Sequence, residues 1–141
     1  MCKKSIDNDF CLNIINIASI SGRYVSNESP AYQISKAGLI HMTRYLAVAT
    51  SKYKIRANCI MPGMIVKKIH SERFNSSENK AYRDEFLKTH SVVQPGDETD
   101  IANAVDFLSD EKSKFMNGEC LIIDGGVTIQ DAFATGIRFL N

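Results

Sequence analysis

Residues 12–22 read Leu12-Asn13-Ile14-Ile15-Asn16-Ile17-Ala18-Ser19-Ile20-Ser21-Gly22. The first seven form an isoleucine-rich apolar run, interrupted only by Asn13 and Asn16, and Ser and Gly close it. A run of this length with this ending predicts a strand buried on both faces, the kind that parallel sheets use. Residues 24–29 are polar. Ser29-Pro30 then reads as a helix start, because Ser caps the N-terminus and Pro fits the first helical position. Ile34, Ala37, Leu39-Ile40, Tyr45-Leu46 and Val48-Ala49 recur with the helical period and predict a helix to about Lys52.

Residues 55–61 predict a second strand, ended by Pro62-Gly63, which cannot continue a buried ladder. Residues 64–78 carry mixed charge without clear period and read as a loop, followed by a short helix over 78–89. Asp97 caps a further helix, with Asp100 three residues on as an approximate capping box. Ile101, Val105 and Leu108 mark the buried stripe of that helix. Gly118 precedes a last strand, 120–123, which ends in Asp124-Gly125-Gly126.

The order strand, helix, strand, helices, strand predicts an α/β fold of parallel strands joined by right-handed crossovers. Three strands make a poor sheet. The first reads as an interior strand, yet nothing before it in this sequence pairs with its far side, so it expects neighbours that the chain does not encode.

The 141 residues suit one domain. With 44% apolar and 23% charged residues the chain can build a core, and its net charge of +1 gives no argument for nucleic acid or an anionic membrane surface. The apolar runs are too short to span a bilayer, and no targeting segment is read at the start; a cytoplasmic location is the expectation. Cys2, Cys11, Cys59 and Cys120 are scattered and read as reduced thiols. His41, His70 and His90 are isolated, with no metal-ligand spacing.

Tyr32 and Lys36 lie four apart near the start of the long helix and share one face. An ammonium one turn from a phenol favours the phenolate, which suits a group that gives and takes a proton near neutral pH. Alone, Tyr-x-x-x-Lys occurs often by chance. Ser19 adds weight. It stands at the C-terminal end of the buried strand, where open α/β sheets bind ligands, and 13 residues before Tyr32.

Here the sequence resembles the short-chain dehydrogenase/reductase family. The resemblance rests on residues 14–22 and on Tyr32-Gln33-Ile34-Ser35-Lys36-Ala37-Gly38. It extends to Asn58-Cys59-Ile60-Met61-Pro62-Gly63, Gly96-Asp97-Glu98-Thr99-Asp100-Ile101-Ala102 and residues 118–126. It implies the C-terminal portion of a Rossmann-type doubly wound parallel sheet, incomplete, as a single partial domain over 1–141. The implied activity is alcohol/ketone interconversion on a small molecule with NAD or NADP. Ser19 would orient the substrate oxygen, and Tyr32 would be the general acid/base. Lys36 would support Tyr32 and bond the nicotinamide ribose. Pro62, Gly63, Met64 and Ile65 would face the nicotinamide. Residues 66–93 would form much of the substrate pocket. Asn58 reads as a buried hydrogen-bonding residue, and Asp124-Gly125-Gly126 as turn chemistry. The family commonly builds homo-oligomers through the long helix and the last strand.

The family's first half, with its Thr-Gly-x-x-x-Gly-x-Gly turn, has no counterpart here: no three glycines fall at dinucleotide-turn spacing. Where the family often has Thr four residues past the Pro-Gly, this chain has Lys67, read as a solvated loop charge. Met1 falls where the family has the end of a preceding helix. The isolated chain is therefore expected to be inactive, and the alternative reading is a truncated, non-catalytic remnant or an interaction module pairing with a full-length relative.

Overall fold

The structure, a computed structural model, describes residues 12–92 and 94–130. Three strands, β1 (Leu12–Ile17), β2 (Ile55–Pro62) and β3 (Cys120–Ile123), lie parallel in the order β1-β2-β3. The register runs from Leu12 opposite Ile55 to Ile17 opposite Ile60, then from Cys59 opposite Cys120 to Pro62 opposite Ile123. All three strands thus finish at one edge of the sheet, where their C-terminal loops meet.

Helices cover both faces. Helix α1 (Pro30–Ala49) lies on one, where Ile40 packs with Ala18, Cys59 and Met61. Helix α4 (Glu98–Ser109) lies on the other, where Ala104 and Leu108 pack on Ile60, with Ile15 and Leu121 beside them. Two shorter helices, α2 (Ser71–Asn75) and α3 (Lys80–Thr89), occupy the connection between β2 and α4. Side chains alternate across a strand, so a strand between two helical layers must be apolar on both faces; β2, sealed from Ala57 to Met61, is.

The two asparagines that interrupt β1 serve opposite faces. Asn16 Nδ2 donates to Thr43 Oγ1 on α1 (2.9 Å), and that hydroxyl donates to the Leu39 carbonyl (2.8 Å). Asn13 Nδ2 donates to the Ser109 carbonyl at the end of α4 (3.0 Å). Each side-chain amide nitrogen enters the layer with a partner, which offsets part of its burial penalty, while the buried Asn13 Oδ1 has none among the described residues. Asn58 does the same between strands: its Nδ2 donates to the Met116 carbonyl and its Oδ1 accepts the Glu119 N–H, both at 3.0 Å, as its buried hydrogen-bonding role predicts.

Two expectations need correction. Helix α1 stops at Ala49, not near Lys52: the Thr50 hydroxyl turns back onto the Leu46 carbonyl (2.7 Å), residues 51–53 tighten into a 3₁₀ turn, and Lys54 takes a left-handed conformation (φ 58°) that reverses the chain into β2. The stretch 64–78 is not all loop, since it holds α2 between 3₁₀ turns at Lys68–His70 and Ser77–Asn79. Helix α2 is too short to show a period. Its fixings come from later in the chain: Arg83 Nη1 donates to the Phe74 and Ser76 carbonyls, and Phe74 meets Tyr82 and Phe86 edge-on.

The expected capping box forms: Asp97 Oδ1 accepts the Thr99 and Asp100 N–H groups, and Asp100 Oδ2 accepts the Asp97 N–H (2.8 Å). Among the described residues no strand pairs with the outer edge of β1, and Ile17 there is 40% exposed. No helix among them is long and apolar enough to cross a membrane.

Candidate active site

The chain leaves β1 at Ala18 and turns at once. Ser19 is extended (φ −166°, ψ 155°) and nearly buried, and its Oγ accepts the Ser21 N–H at 3.1 Å, capping a single 3₁₀ turn, Ile20–Gly22. Its hydroxyl proton donates to nothing among the described residues. Gly22 lets this turn press against α1. A Cβ there would fall 2.7 Å from the Lys36 carbonyl carbon, 2.8 Å from the Ala37 nitrogen and 2.9 Å from Ile40 Cδ1. The absent side chain therefore sets the distance between the Ser19 turn and the helix that carries Tyr32 and Lys36.

Helix α1 begins as the sequence predicts, with the Ser29 hydroxyl accepting the Tyr32 N–H (3.3 Å) and Pro30 in the first turn. Tyr32 and Lys36 follow one turn apart. Lys36 Nζ donates to the Ile17 carbonyl at 3.0 Å, and it stands 5.5 Å from the centre of the Tyr32 ring. The ammonium is thus tied to the end of β1 and held within cation–π range of the phenol ring.

The third wall comes from the end of β2. Gly63 packs on the first residue after β3, where a Cβ would sit 2.7 Å from Asp124 Cα, and its N–H donates to the Ile123 carbonyl (2.8 Å). Ile65 then bridges to Gly96, so the segment leaving Pro62-Gly63 is fastened beside α4.

These walls enclose a cavity of about 630 Å³ lined by Ser19, Tyr32, Lys36, Pro62, Gly63 and Ile65. Of the residues singled out from the sequence, only Met64 stands apart. Its sulfur accepts from Tyr82 Oη (3.6 Å) and it lines a different cavity of about 280 Å³ with Phe86 and His90. Ile17 and Ile101 give the large cavity apolar walls, and Lys67 and Glu98 charge its rim. Glu98 is engaged, accepting the Lys68 N–H at 3.1 Å. Apolar walls beside a phenol and an ammonium suit the nicotinamide-ribose end of a dinucleotide. A glycine-rich turn for the pyrophosphate does not occur among the described residues.

A second cavity of about 370 Å³ opens on the other side of Tyr32. It shares Ser19, Tyr32 and Gly63 with the first and is otherwise lined by Ile20, Ser21, Ser26, Asn27 and Glu28. Sequence reasoning passed over the residue that holds this loop. Gln33 Oε1 accepts the Ser26 N–H (3.3 Å), and its Nε2 donates to the Ser26 and Glu28 carbonyls (3.1 and 2.7 Å). Gly22 was read only as the end of a run. The signal for both was position: Gly22 lies three residues past Ser19, and Gln33 directly follows Tyr32. Residues 66–93 contribute Lys67 to the large cavity and line separate ones further out, through Arg73, Phe74 and Tyr82.

The electrostatics lie around this centre. Partial burial pushes the Asp124 carboxyl up, but the Thr128 hydroxyl and N–H and the Gly126 N–H outweigh it and hold the group below the usual carboxylate value. Two of the scattered cysteines meet, while Cys2 and Cys11 lie outside the described residues: Cys59 and Cys120 are register partners on β2 and β3, and burial, reinforced by the hydrogen bond to Cys120, pushes the Cys59 thiol up to about 12.

The chain matches the family model described as enoyl-(acyl carrier protein) reductase over residues 5–128. It is 34% identical over 119 residues to the 7α-hydroxysteroid dehydrogenase of Bacteroides fragilis, covering 84% of this chain and 44% of that protein. It is 34% identical over 116 residues to a 3-oxoacyl-(acyl-carrier-protein) reductase of Chlamydia pneumoniae, covering 82% and 45%. A solved 4-hydroxyisoleucine dehydrogenase complexed with NADH superposes with a TM-score of 0.83 at 32% identity, covering 92% of this chain and 52% of that one. A short-chain dehydrogenase from Leptospira borgpetersenii with bound NAD+ superposes at 0.76 with 30% identity, covering 90% and 48%. The chain spans about half the length of the relatives it matches. Matched across most of its length by sequence and by the course of its strands and helices, the chain belongs to the short-chain dehydrogenase/reductase family.

Proposed function

We propose that this chain carries the proton-transfer half of an NAD(P)-dependent oxidoreductase that interconverts an alcohol and a ketone. The observation that carries the reading is the convergence of Ser19, Tyr32 and Lys36 on one cavity, with Lys36 anchored to the end of β1. A nicotinamide dinucleotide, NAD or NADP, supplies the hydride acceptor or donor when bound. Pro62, Gly63 and Ile65 would form the apolar wall on its nicotinamide side, and Lys36 would hydrogen-bond its ribose.

The remaining work falls to the protein. Ser19 has its oxygen engaged by the Ser21 N–H and offers its proton to the substrate oxygen, which fixes the reacting carbon. Tyr32 Oη gives a proton to that oxygen in reduction and takes one in oxidation. The Lys36 ammonium stands 5.5 Å from the centre of the Tyr32 ring, and its bond to the Ile17 carbonyl keeps it on the Tyr32 side of the cavity.

The test is a titration of the purified chain with NADH and then NADPH, followed by nicotinamide fluorescence, and then ketone reduction with Tyr32→Phe as the control. Saturable binding at micromolar cofactor supports the reading. No binding at millimolar cofactor removes it for this chain.

A second reading, a non-catalytic chain that pairs with another copy or a full-length relative, is favoured by the outer face of α1. Ile34, Tyr45 and Val48 there are 71%, 68% and 79% exposed. They recur at helical spacing opposite the buried Ile40, Thr43 and Ala47. Size-exclusion chromatography of the chain alone and mixed with a full-length relative decides it: elution as a monomer in both runs rules the pairing out.

A further inference from the structure

The two cavities that meet at Tyr32 differ in character. The larger is walled by Ile17, Ile65, Pro62 and Ile101. The smaller takes its outer wall from Ser21, Ser26, Asn27 and Glu28, with Ile20 and the Tyr32 ring as its large apolar groups. Its loop is fixed before any ligand arrives. Gln33 makes three hydrogen bonds to residues 26 and 28, the Ser26 hydroxyl donates to Ser21 Oγ (3.1 Å), and the Glu28 N–H donates to Ser26 Oγ (3.3 Å). Ser21, Ser26, Asn27 and Glu28 therefore line a space of about 370 Å³, near the lower end of small-ligand pockets.

We propose that this smaller cavity is the substrate side and that it selects a small, neutral, polyhydroxylated substrate, a polyol or its keto form. The proposal rests on the oxidoreductase reading and names the substrate class for that site. Among the described residues Glu28 is the one charged residue lining this cavity, so an anionic substrate meets repulsion and a hydroxyl meets a strong acceptor. An aliphatic alcohol would strip water from the serines, Asn27 and Glu28 and return no hydrogen bond, which is how a polar site rejects an apolar analogue. A polyol returns one at each position. Its reacting carbinol lies against Ser19 and Tyr32, and its neighbouring hydroxyls reach residues 26–28.

The test is a ¹H–¹⁵N shift titration of the 141-residue chain with xylitol, sorbitol, 2-octanol and lactate, with and without NADH. Xylitol or sorbitol is expected to move the amides of Ser21, Ser26, Asn27 and Glu28 saturably, and the double variant Asn27→Ala/Glu28→Ala is expected to weaken that binding about tenfold or more. The proposal is overturned if neither polyol moves these amides, if 2-octanol or lactate binds there more tightly, or if the double variant binds polyol unchanged. Nicotinamide fluorescence in the same samples reports separately on the oxidoreductase reading. An unmoved signal counts against that reading, while the amide shifts still decide the substrate class.

Discussion

The same substitution, Gly to Ala, should act with opposite sign at two sites on either side of α1. At Gly22 the new Cβ would lie 2.7 and 2.8 Å from backbone atoms of Lys36 and Ala37. Ordinary van der Waals contact begins near 3.4 Å, so the turn or the helix must retreat by more than half an ångström, and neither contact is a flexible side chain. Such overpacking costs about 1–3 kcal/mol. At Gly38, within α1, a Cβ meets nothing within 4 Å, and Ala in a helix interior is better than Gly by about 1 kcal/mol. For a chain of this length 1 kcal/mol corresponds to roughly 4 °C in Tm. Gly22→Ala should therefore melt about 4–12 °C lower than wild type, and Gly38→Ala about 4 °C higher. Differential scanning fluorimetry reads both, and amide shifts of residues 19–22 should move in Gly22→Ala alone. If Gly22→Ala melts with wild type and leaves those amides in place, the close approach of turn and helix is not what positions Ser19. If it melts lower and the protein turns over substrate, activity should fall by more than stability explains, because a displacement near 1 Å costs about 10²-fold in rate.

Further outcomes follow from the core and from the shifted groups. Leu108→Ala opens a cavity in the layer beneath α4 and should cost about 2–5 kcal/mol in chemical denaturation, whereas a loss under 1 kcal/mol would place Leu108 outside the core. The Cys59 thiol, raised to about 12, should resist iodoacetamide at pH 8 in the folded chain and react once urea unfolds it; native labelling at the rate of a free thiol refutes its burial. Because its folded value is raised, the stability it contributes is whole below the ordinary 9.0 and is lost as pH climbs from there toward 12, a loss that Cys59→Ala should lessen in urea midpoints. Asp124 has the opposite sign: its folded value is depressed, so its contribution is present above the ordinary 3.8 and is lost as pH falls below it, and Asp124→Asn should flatten that acid limb.

What could be read in the chain was whatever depends on local order. The run at 12–18, the Ser29-Pro30 start, the Asp97/Asp100 box and the Pro62-Gly63 stop are local codes, and each element formed where its code stood. Tyr32 and Lys36 were legible because helical spacing places them on one face. The rest was not legible, because it is set by pairs distant in sequence. Helix α2 is held by Arg83, Cys59 meets Cys120 only through the register of β2 and β3, and Met64 turns from its neighbours because Tyr82 reaches it. The polar cavity depends on Gln33, whose position within a helix says nothing of the loop it grips.

The anchor of Lys36 connects the proposed chemistry to an edge strand of the sheet. The ammonium bonds the carbonyl of Ile17, the last residue of β1, and among the described residues β1 has a neighbour on one side only. An edge strand frays more readily than one paired on both sides, since each opening breaks half as many ladder bonds. Any motion of Ile17 therefore reaches Lys36 directly and the Tyr32 ring beside it. A strand added in parallel to the free edge would stiffen Ile17 without touching a side chain of the proposed site. Hydrogen exchange at residues 16–18 measures this: protection well below that of residues 58–60 in β2 is expected. Equal protection would mean that β1 is held as firmly as an interior strand and that Lys36 is already fixed.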